Sequence, residues 1–282
     1  MKIAIIVTTP DYAGINIKGN LLNLIDFKDT GSVFDSYPVL EKEEQRNHIS
    51  IYTTDERCLY LENLQDRIDA DIFFFPTTHR SESNTKTLSC HTQGNWHKAD
   101  MGGRPNNLSY APAFFLKKAY NEIVIVRDEM GLDYEATLEC THHGPQIEAP
   151  TMFIEIGSTE KEWKDKKAGE AIARVIAKLI SFSPEEQEWK PAIGIGGNHY
   201  CNTFNKIMER TDIAIGHVCP RYMLDSVDKD MIKQAFDKTV PRPGFAVLDW
   251  KGISKFKEKV KRILEELNIP YERTDQILKN NK

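Results

Sequence analysis

The stretch from Met152 to Ile195 opens on MFIEI, continues through Lys161–Ile180 (KEWKDKKAGEAIARVIAKLI) and closes on PAIGI. The two outer runs are apolar and strand-sized. Between them, Ala168, Ala171, Ile172, Val175, Ile176 and Leu179 fall on one side of a helix. Strand, amphipathic helix and strand in succession are the material of a parallel sheet with helical crossovers. The same alternation extends outward in both directions. Strands are predicted at Lys2–Val7, His48–Tyr52, Asp71–Phe75, Thr85–His91, Glu135–Cys140, Ile213–Gly216 and Ala246–Trp250. Helices are predicted at Gly14–Asp26, Leu59–Ile68, Ala111–Val126, Asp228–Asp237 and Ser254–Leu267. The expected fold is α/β, a three-layer α/β/α arrangement about a mixed, mostly parallel sheet. It forms one domain over residues 1–282, with 77–112, rich in Gly, Asn and Ser, as a functional loop region or small subdomain.

Composition bounds the function. The 282 residues carry 37 Lys plus Arg against 42 Asp plus Glu, 37 − 42 = −5, which excludes a protein that coats nucleic acid through overall charge. No apolar run approaches the ~20 residues of a membrane span, and MKIAIIV is too short for a secretory signal. Five cysteines without a CxxC exclude a complete disulfide framework and a thiolate zinc ribbon, so a reducing, cytoplasmic setting is expected.

The histidines carry the chemistry. Of eight, only His48 lies outside 79–217. His79 follows Ile72–Phe75, His91 ends the next strand, His142 and His143 follow Glu135–Cys140, His199 follows Pro191–Ile195, and His217 ends Ile213–Gly216. Open α/β sheets bind ligands beyond their strand ends, so these histidine-rich loops are expected to gather at one sheet edge as a catalytic or metal site. His48 and His97 read as surface residues. In ECTHHGP, Glu139 can act as ligand, general base or orienting group. Adjacent histidines on a flat strand point to opposite sides, so the Gly144-Pro145 turn is expected to rotate one inward. GIGGNHY offers a glycine turn, with Gly196, Gly197 and Asn198, that either cradles a phosphate or is a tight strand–helix turn. P-loop, kinase and GxSxG signatures are absent. Lys251–Arg262 holds six cations against Glu258, a local charge of +5, which reads as a solvated helix face or a phosphate-binding one.

TTHRS, LSCHTQGNW, ECTHHGP and GIGGNHY, followed by IGHVCPRY, together resemble the archaeal and plant class of D-aminoacyl-tRNA deacylases. The resemblance covers nearly the whole chain. It implies a phosphorylase- or peptidyl-tRNA-hydrolase-like fold and zinc dependence, with two ions per chain. The implied reaction is hydrolysis of the ester between a D-amino acid and tRNA. On that basis His91, His142 and His199 are expected to bind metal, with His143 or Glu139 handling the proton. His79 is expected in the catalytic set, and His79 and His217 complete a second metal position or contact the ribose. Gly196, Gly197 and Asn198 are expected to hold the terminal phosphate, and Lys255 and Lys259 the tRNA body. A monomer with no obligate protein partner is expected. A zinc-dependent aminopeptidase or amidohydrolase, and a non-catalytic tRNA-binding protein, remain as rival readings.

Overall fold

A computed structural model describes residues 1–82 and 84–280. The N-terminal part contains β1 (Lys2–Thr8), β2 (Lys28–Phe34), β3 (Tyr37–Glu44), β4 (Asn47–Thr54), β5 (Ile72–Arg80) and β6 (Thr87–His91). Three two-residue strands follow, β7 (Gly94–Asn95), β8 (Asn107–Leu108) and β9 (Ala111–Pro112), then β10 (Glu135–Leu138) and β11 (Thr151–Ser158). Eight of these strands form a mixed sheet in the order β10-β6-β11-β5-β1-β4-β3-β2. β4, β1, β5 and β11 run parallel, whereas β6 returns antiparallel to β11 and carries β10 with it.

The remaining strands are β12 (Lys190–Ile195), β13 (Ile213–Cys219), β14 (Thr239–Val240), β15 (Phe245–Leu248) and β16 (Tyr271–Arg273). They do not join the large sheet: β13-β12-β15-β16 make a second, parallel one. The helices are α1 (Tyr12–Leu24), α2 (Ala113–Glu129), α3 (Glu160–Trp163), α4 (Lys166–Ile180), α5 (Asn202–Arg210), α6 (Lys229–Asp237), α7 (Lys257–Glu266) and α8 (Thr274–Asn280).

The alternation of side chains along a strand explains the packing. Ile3, Ile5, Val7 and Phe74 pack on the face covered by α1, α2 and α4. Ala4, Ile6, Phe73, Phe75 and Phe153 pack on the other, under Leu61, Leu64, Ile68 and Ile147. That second face is therefore covered by irregular chain. Leu59–Ile68, expected as a helix, forms two 3₁₀ turns, Cys58–Tyr60 and Leu64–Asp66, because Asn63 sits in the left-handed region (φ 56°) and interrupts the run. Lys161–Ile180 is likewise two helices, since Asp165 starts α4 afresh by accepting from Lys167 N at 2.9 Å. The β2–β3 hairpin has no expectation to match, because almost every β2 residue is exposed and carries no apolar period. Residues 77–112 are partly scaffold: Thr77–Arg80 continues β5, and β6 lies inside the sheet. The core runs without a break from the large sheet through α2 to Phe204 and Ile207 of α5 and Ile213 and Ile215 of the second sheet.

Candidate active site

Three adjacent strands build the floor of the site. Phe75, Thr77 and His79 of β5 share a face with Phe153, Glu155 and Gly157 of β11, and with His91, Ser89 and Thr87 of β6. The register pairs Phe153 with both His91 and Phe75, Glu155 with Ser89 and Thr77, and Gly157 with Thr87 and His79. His79 and His91 are thus strand residues on a sheet face, a correction to the expectation of loops beyond one edge. The ring at 79 has room because residue 157 is glycine: a Cβ there stands 2.7 Å from His79 Cδ2 and presses on Thr87 Oγ1.

Glu139 and the two histidines after Thr141 form one wall. This segment is stitched to both sheets: Glu139 N donates to Cys90 O at 3.1 Å, Cys140 N to His199 O at 2.8 Å, and Thr141 N to Val218 O at 3.1 Å. The turn expected at Gly144-Pro145 begins one residue earlier, at His143 itself, where φ is 44°. That left-handed residue brings the rings of His142 and His143 within 4.4 Å, and both close to His91, at 4.3 and 4.9 Å.

The hydrogen bonds fix the tautomers of these three rings. Each directs Nδ1 at a backbone carbonyl, which can only accept: His91 to Thr92 O (3.1 Å), His142 to Cys140 O (2.7 Å) and His143 to Gly144 O (2.6 Å). Every Nε2 is then left with a lone pair. One ligating nitrogen from each of the three lies within 4.8 Å of the others. His91 Nε2 is buried and accepts no hydrogen bond. Burial lowers the pKa of His142 well below the usual imidazole value, and that of His143 to about 4, with the neighbouring His91 adding to both. His142 and His143 are thereby held neutral, as ligation requires.

The carboxylates stand beside this group. Glu139 Oε2 is 2.9 Å from His199 Nε2 and 3.6 Å from His142 Nε2, and Oε1 is 3.1 Å from His79 Nδ1. Glu155 is 3.4 Å from His79 Nδ1 and 3.6 Å from His91 Nε2. Burial disfavours the charged ring of His79, but the two carboxylates outweigh it and hold its pKa up to about 11. His199 is raised to about 10, with burial again opposed by its contacts to Cys140 and Glu139. In return Glu139 is held well below the ordinary carboxylate range despite complete burial. His79, Glu139 and His199 form another cluster of ligating atoms, which shares no residue with the first but is bridged to it by Cys140–His142–His199 and His91–Glu139–Glu155.

A cleft of about 500 Å³ opens over these groups, reached by His79, His142, His143, Glu155 and His199. Its wall is anchored by Asp11, whose Oδ2 accepts from Thr77 Oγ1, Thr78 N and Thr78 Oγ1, while Oδ1 accepts from Gly14 N at the start of α1.

Other predicted residues lie elsewhere. His217 is fully buried and engaged at both nitrogens, Nδ1 with Thr141 Oγ1 at 3.1 Å and Nε2 donating to Ser109 O at 3.0 Å. It ties the second sheet to the wall and has no free atom for a ribose. Gly196 and Gly197 pack against Asp249, and a Cβ on Gly197 stands 3.6 Å from its carboxylate, so a phosphate here faces an acid. Asn198 caps the following turn toward Asn202 N. Lys259 donates to Leu224 O and Asp225 O, Lys257 lies over Trp250, and Lys261 pairs with Glu258, so half of the basic run serves the fold. Lys255 is exposed, with its ammonium 5.1 Å from the Phe256 ring. His97 is exposed and His48 pairs with Glu43 at the surface, as expected.

Glu155 escaped the sequence reading, although a lone carboxylate within buried TMFIEIGS was a usable signal. Tyr200, whose hydroxyl meets His79 Nε2 at 3.3 Å, and Tyr222, 3.2 Å from Cys140 Sγ and 3.4 Å from His199 Nδ1, left no sequence signal.

Fold and geometry define an α/β protein with a histidine–carboxylate centre beneath a cleft. The D-aminoacyl-tRNA deacylase family model matches residues 66–272, and the chain belongs to that family. It is 32% identical over 279 residues to the D-aminoacyl-tRNA deacylase of Thermococcus kodakarensis, covering 96% of this chain and 99% of that one. It is 33% identical over 276 residues to that of Methanosarcina barkeri, covering 95% and 88%. A crystal structure described as a conserved protein of unknown function matches with a TM-score of 0.87 and 29% identity, covering 99% of this chain and 97% of that chain. Among the described residues no helix is long and apolar enough to cross a membrane.

Proposed function

We propose that this chain is a hydrolase acting on the ester between a D-amino acid, D-tyrosine among them, and the 3′-terminal ribose of tRNA, releasing free tRNA and the amino acid. Family membership supports the substrate. One observation carries the chemistry: three imidazoles direct Nδ1 at carbonyls and gather ligating nitrogens in one cluster, with His91 buried and His142 and His143 half-buried. Lone pairs gathered in this way suit a cation.

The donor set fits zinc, with His91, His142 and His143 as its ligands; His79, Glu139 and His199 are a second set, whose two rings must give up the protons that the carboxylates hold on them before they can ligate. Bound zinc supplies Lewis acidity toward the ester carbonyl and lowers the pKa of water towards ~7. In this reading His143 is a ligand in place of a proton carrier, and His199 belongs to the second set. Glu139, fully buried between His79, His142 and His199, orients these rings. Glu155 lines the cleft and is the carboxylate placed to take the proton from the attacking water. That proton then passes to the ribose oxygen as its bond to the acyl carbon breaks. D and L esters carry the same groups, so selection between them rests on the shape of the cleft wall. The enzyme acts as a cytoplasmic monomer without an obligate protein partner.

The test is release of D-tyrosine from D-tyrosyl-tRNA, against L-tyrosyl-tRNA, with chelator and with zinc restored. D-selective release that the chelator abolishes and zinc restores is expected. Release unaffected by a tight chelator removes the metal from the scheme. No release, with cleavage of dipeptides instead, makes the chain a peptidase.

A further inference from the structure

Around the mouth of the cleft, the carboxyl ends of β1 and β4 lie side by side, and β5, paired with β1 as far as Phe74, runs on past them to Arg80. Parallel neighbours are about 4.8 Å apart, so residues just beyond these ends form one continuous rim. β5 ends on Arg80, β1 leads into Tyr12, and β4 leads into Arg57 and Tyr60. Tyr12 and Tyr60 are 51% and 52% exposed. Each carries a cation: Lys164 Nζ lies 4.3 Å from the Tyr12 ring centroid, and the Arg57 guanidinium carbon 5.7 Å from that of Tyr60. Arg80 lies 5.2 Å from the ring of Trp163, whose indole N–H donates to His79 O. Arg57, Arg80, Tyr12 and Trp163 all line the cleft.

The two arginines differ from most others on this acidic surface. Arg67, Arg104, Arg127 and Arg174 each pair with a carboxylate. Neither Arg57 nor Arg80 has an acidic partner among the described residues. Unpaired guanidiniums flanked by exposed tyrosines match the two surfaces of unpaired nucleotides, the phosphate and the base face.

We propose that this rim is a stacking platform for the unpaired nucleotides at the 3′ end of an RNA, with Tyr12 and Tyr60 taking bases and Arg57 and Arg80 taking phosphates. This deepens the proposed function and rests on it for the identity of the RNA. The rim places the last ribose over His79 and Glu155 by holding the nucleotides before it.

The probe is a fluorescein-labelled single-stranded oligoribonucleotide ending in CCA, titrated by anisotropy at several salt concentrations. Arg57→Ala/Arg80→Ala is expected to weaken binding at least tenfold and to make the log–log salt slope shallower by about 1.4, the value for two single-strand phosphates. Tyr12→Ala/Tyr60→Ala is expected to weaken binding roughly tenfold or more per stacked base with the slope kept. Lys229→Ala/Lys233→Ala removes the same charge from α6 and is expected to change neither. Thermal melts report that each variant is folded. An oligonucleotide that does not bind the wild type, an arginine pair that changes nothing, or a control pair that loses as much overturns the platform. D-tyrosyl-tRNA hydrolysis is measured on the same samples. Hydrolysis with an indifferent rim sinks the platform alone, and RNA binding as expected without hydrolysis sinks the catalytic reading alone.

Discussion

His199 Nε2 stands 2.9 Å from Glu139 Oε2, and this contact joins the loop after β12 of the second sheet to the end of β10 in the first. The site is therefore assembled by the docking of two sheets. Glu139→Gln keeps the shape and removes the charge that holds His79 and His199. Activity is expected to fall about 10- to 100-fold, as when other groups that orient ligands are lost. Circular dichroism should show an intact fold; full activity would remove Glu139 from the scheme.

Of the four overlapping groups of ligating atoms, His91/His142/His143 and His79/Glu139/His199 have no residue in common, and they predict separable metal sites. His142→Ala and His143→Ala should each lower bound zinc, measured by mass spectrometry of the purified protein, while His79→Ala should leave the first ion in place. Equal loss from all three would show a single, shared site.

His217 predicts a pH dependence of stability. Burial lowers its pKa from 6.5 to about 3, so the ring stays neutral in the folded chain while the unfolded chain takes up a proton below pH 6.5. The unfolded state then binds more protons between pH 6.5 and about 3, and stability falls as pH falls through that window. The slope from this group is about 1.4 kcal/mol per pH unit. His217→Asn should flatten the urea-unfolding profile there by that amount relative to wild type. An unchanged slope would mean that His217 is not held neutral.

Gly157→Ala places a methyl group against the His79 ring. Overpacking of this kind costs about 1–3 kcal/mol. A lower melting temperature with a larger loss of activity than of stability is expected. A fully active, equally stable variant would show that the ring position is loosely held.

The basic run divides into two kinds of lysine. Lys259→Met removes two carbonyl contacts and should cost about 1 kcal/mol of stability. Lys255→Glu, at an exposed position, should raise KM for tRNA with little change in kcat if α7 meets the tRNA body. A change confined to melting temperature would make the whole run scaffold.

The sequence alone determined the elements whose signal is local. β1, β5, β11 and α4 follow from apolar period, and the grouping of His79, His91, His142, His143 and His199 follows from their recurrence at strand ends. Resemblance in TTHRS, ECTHHGP and GIGGNHY reached the family. Tertiary structure decided the rest, because it depends on what is brought together over long separations. Antiparallel β6 puts His91 beside Phe153 and Glu155, which makes the site a sheet face. The carbonyl that each Nδ1 meets selects the tautomer, and no spacing of residues encodes it. His217 and Glu155 show both sides of this limit. One is a strand-end histidine that the fold uses as a joint, and the other is a buried carboxylate whose partners, His79 and His91, lie 76 and 64 residues away along the chain (155 − 79 and 155 − 91).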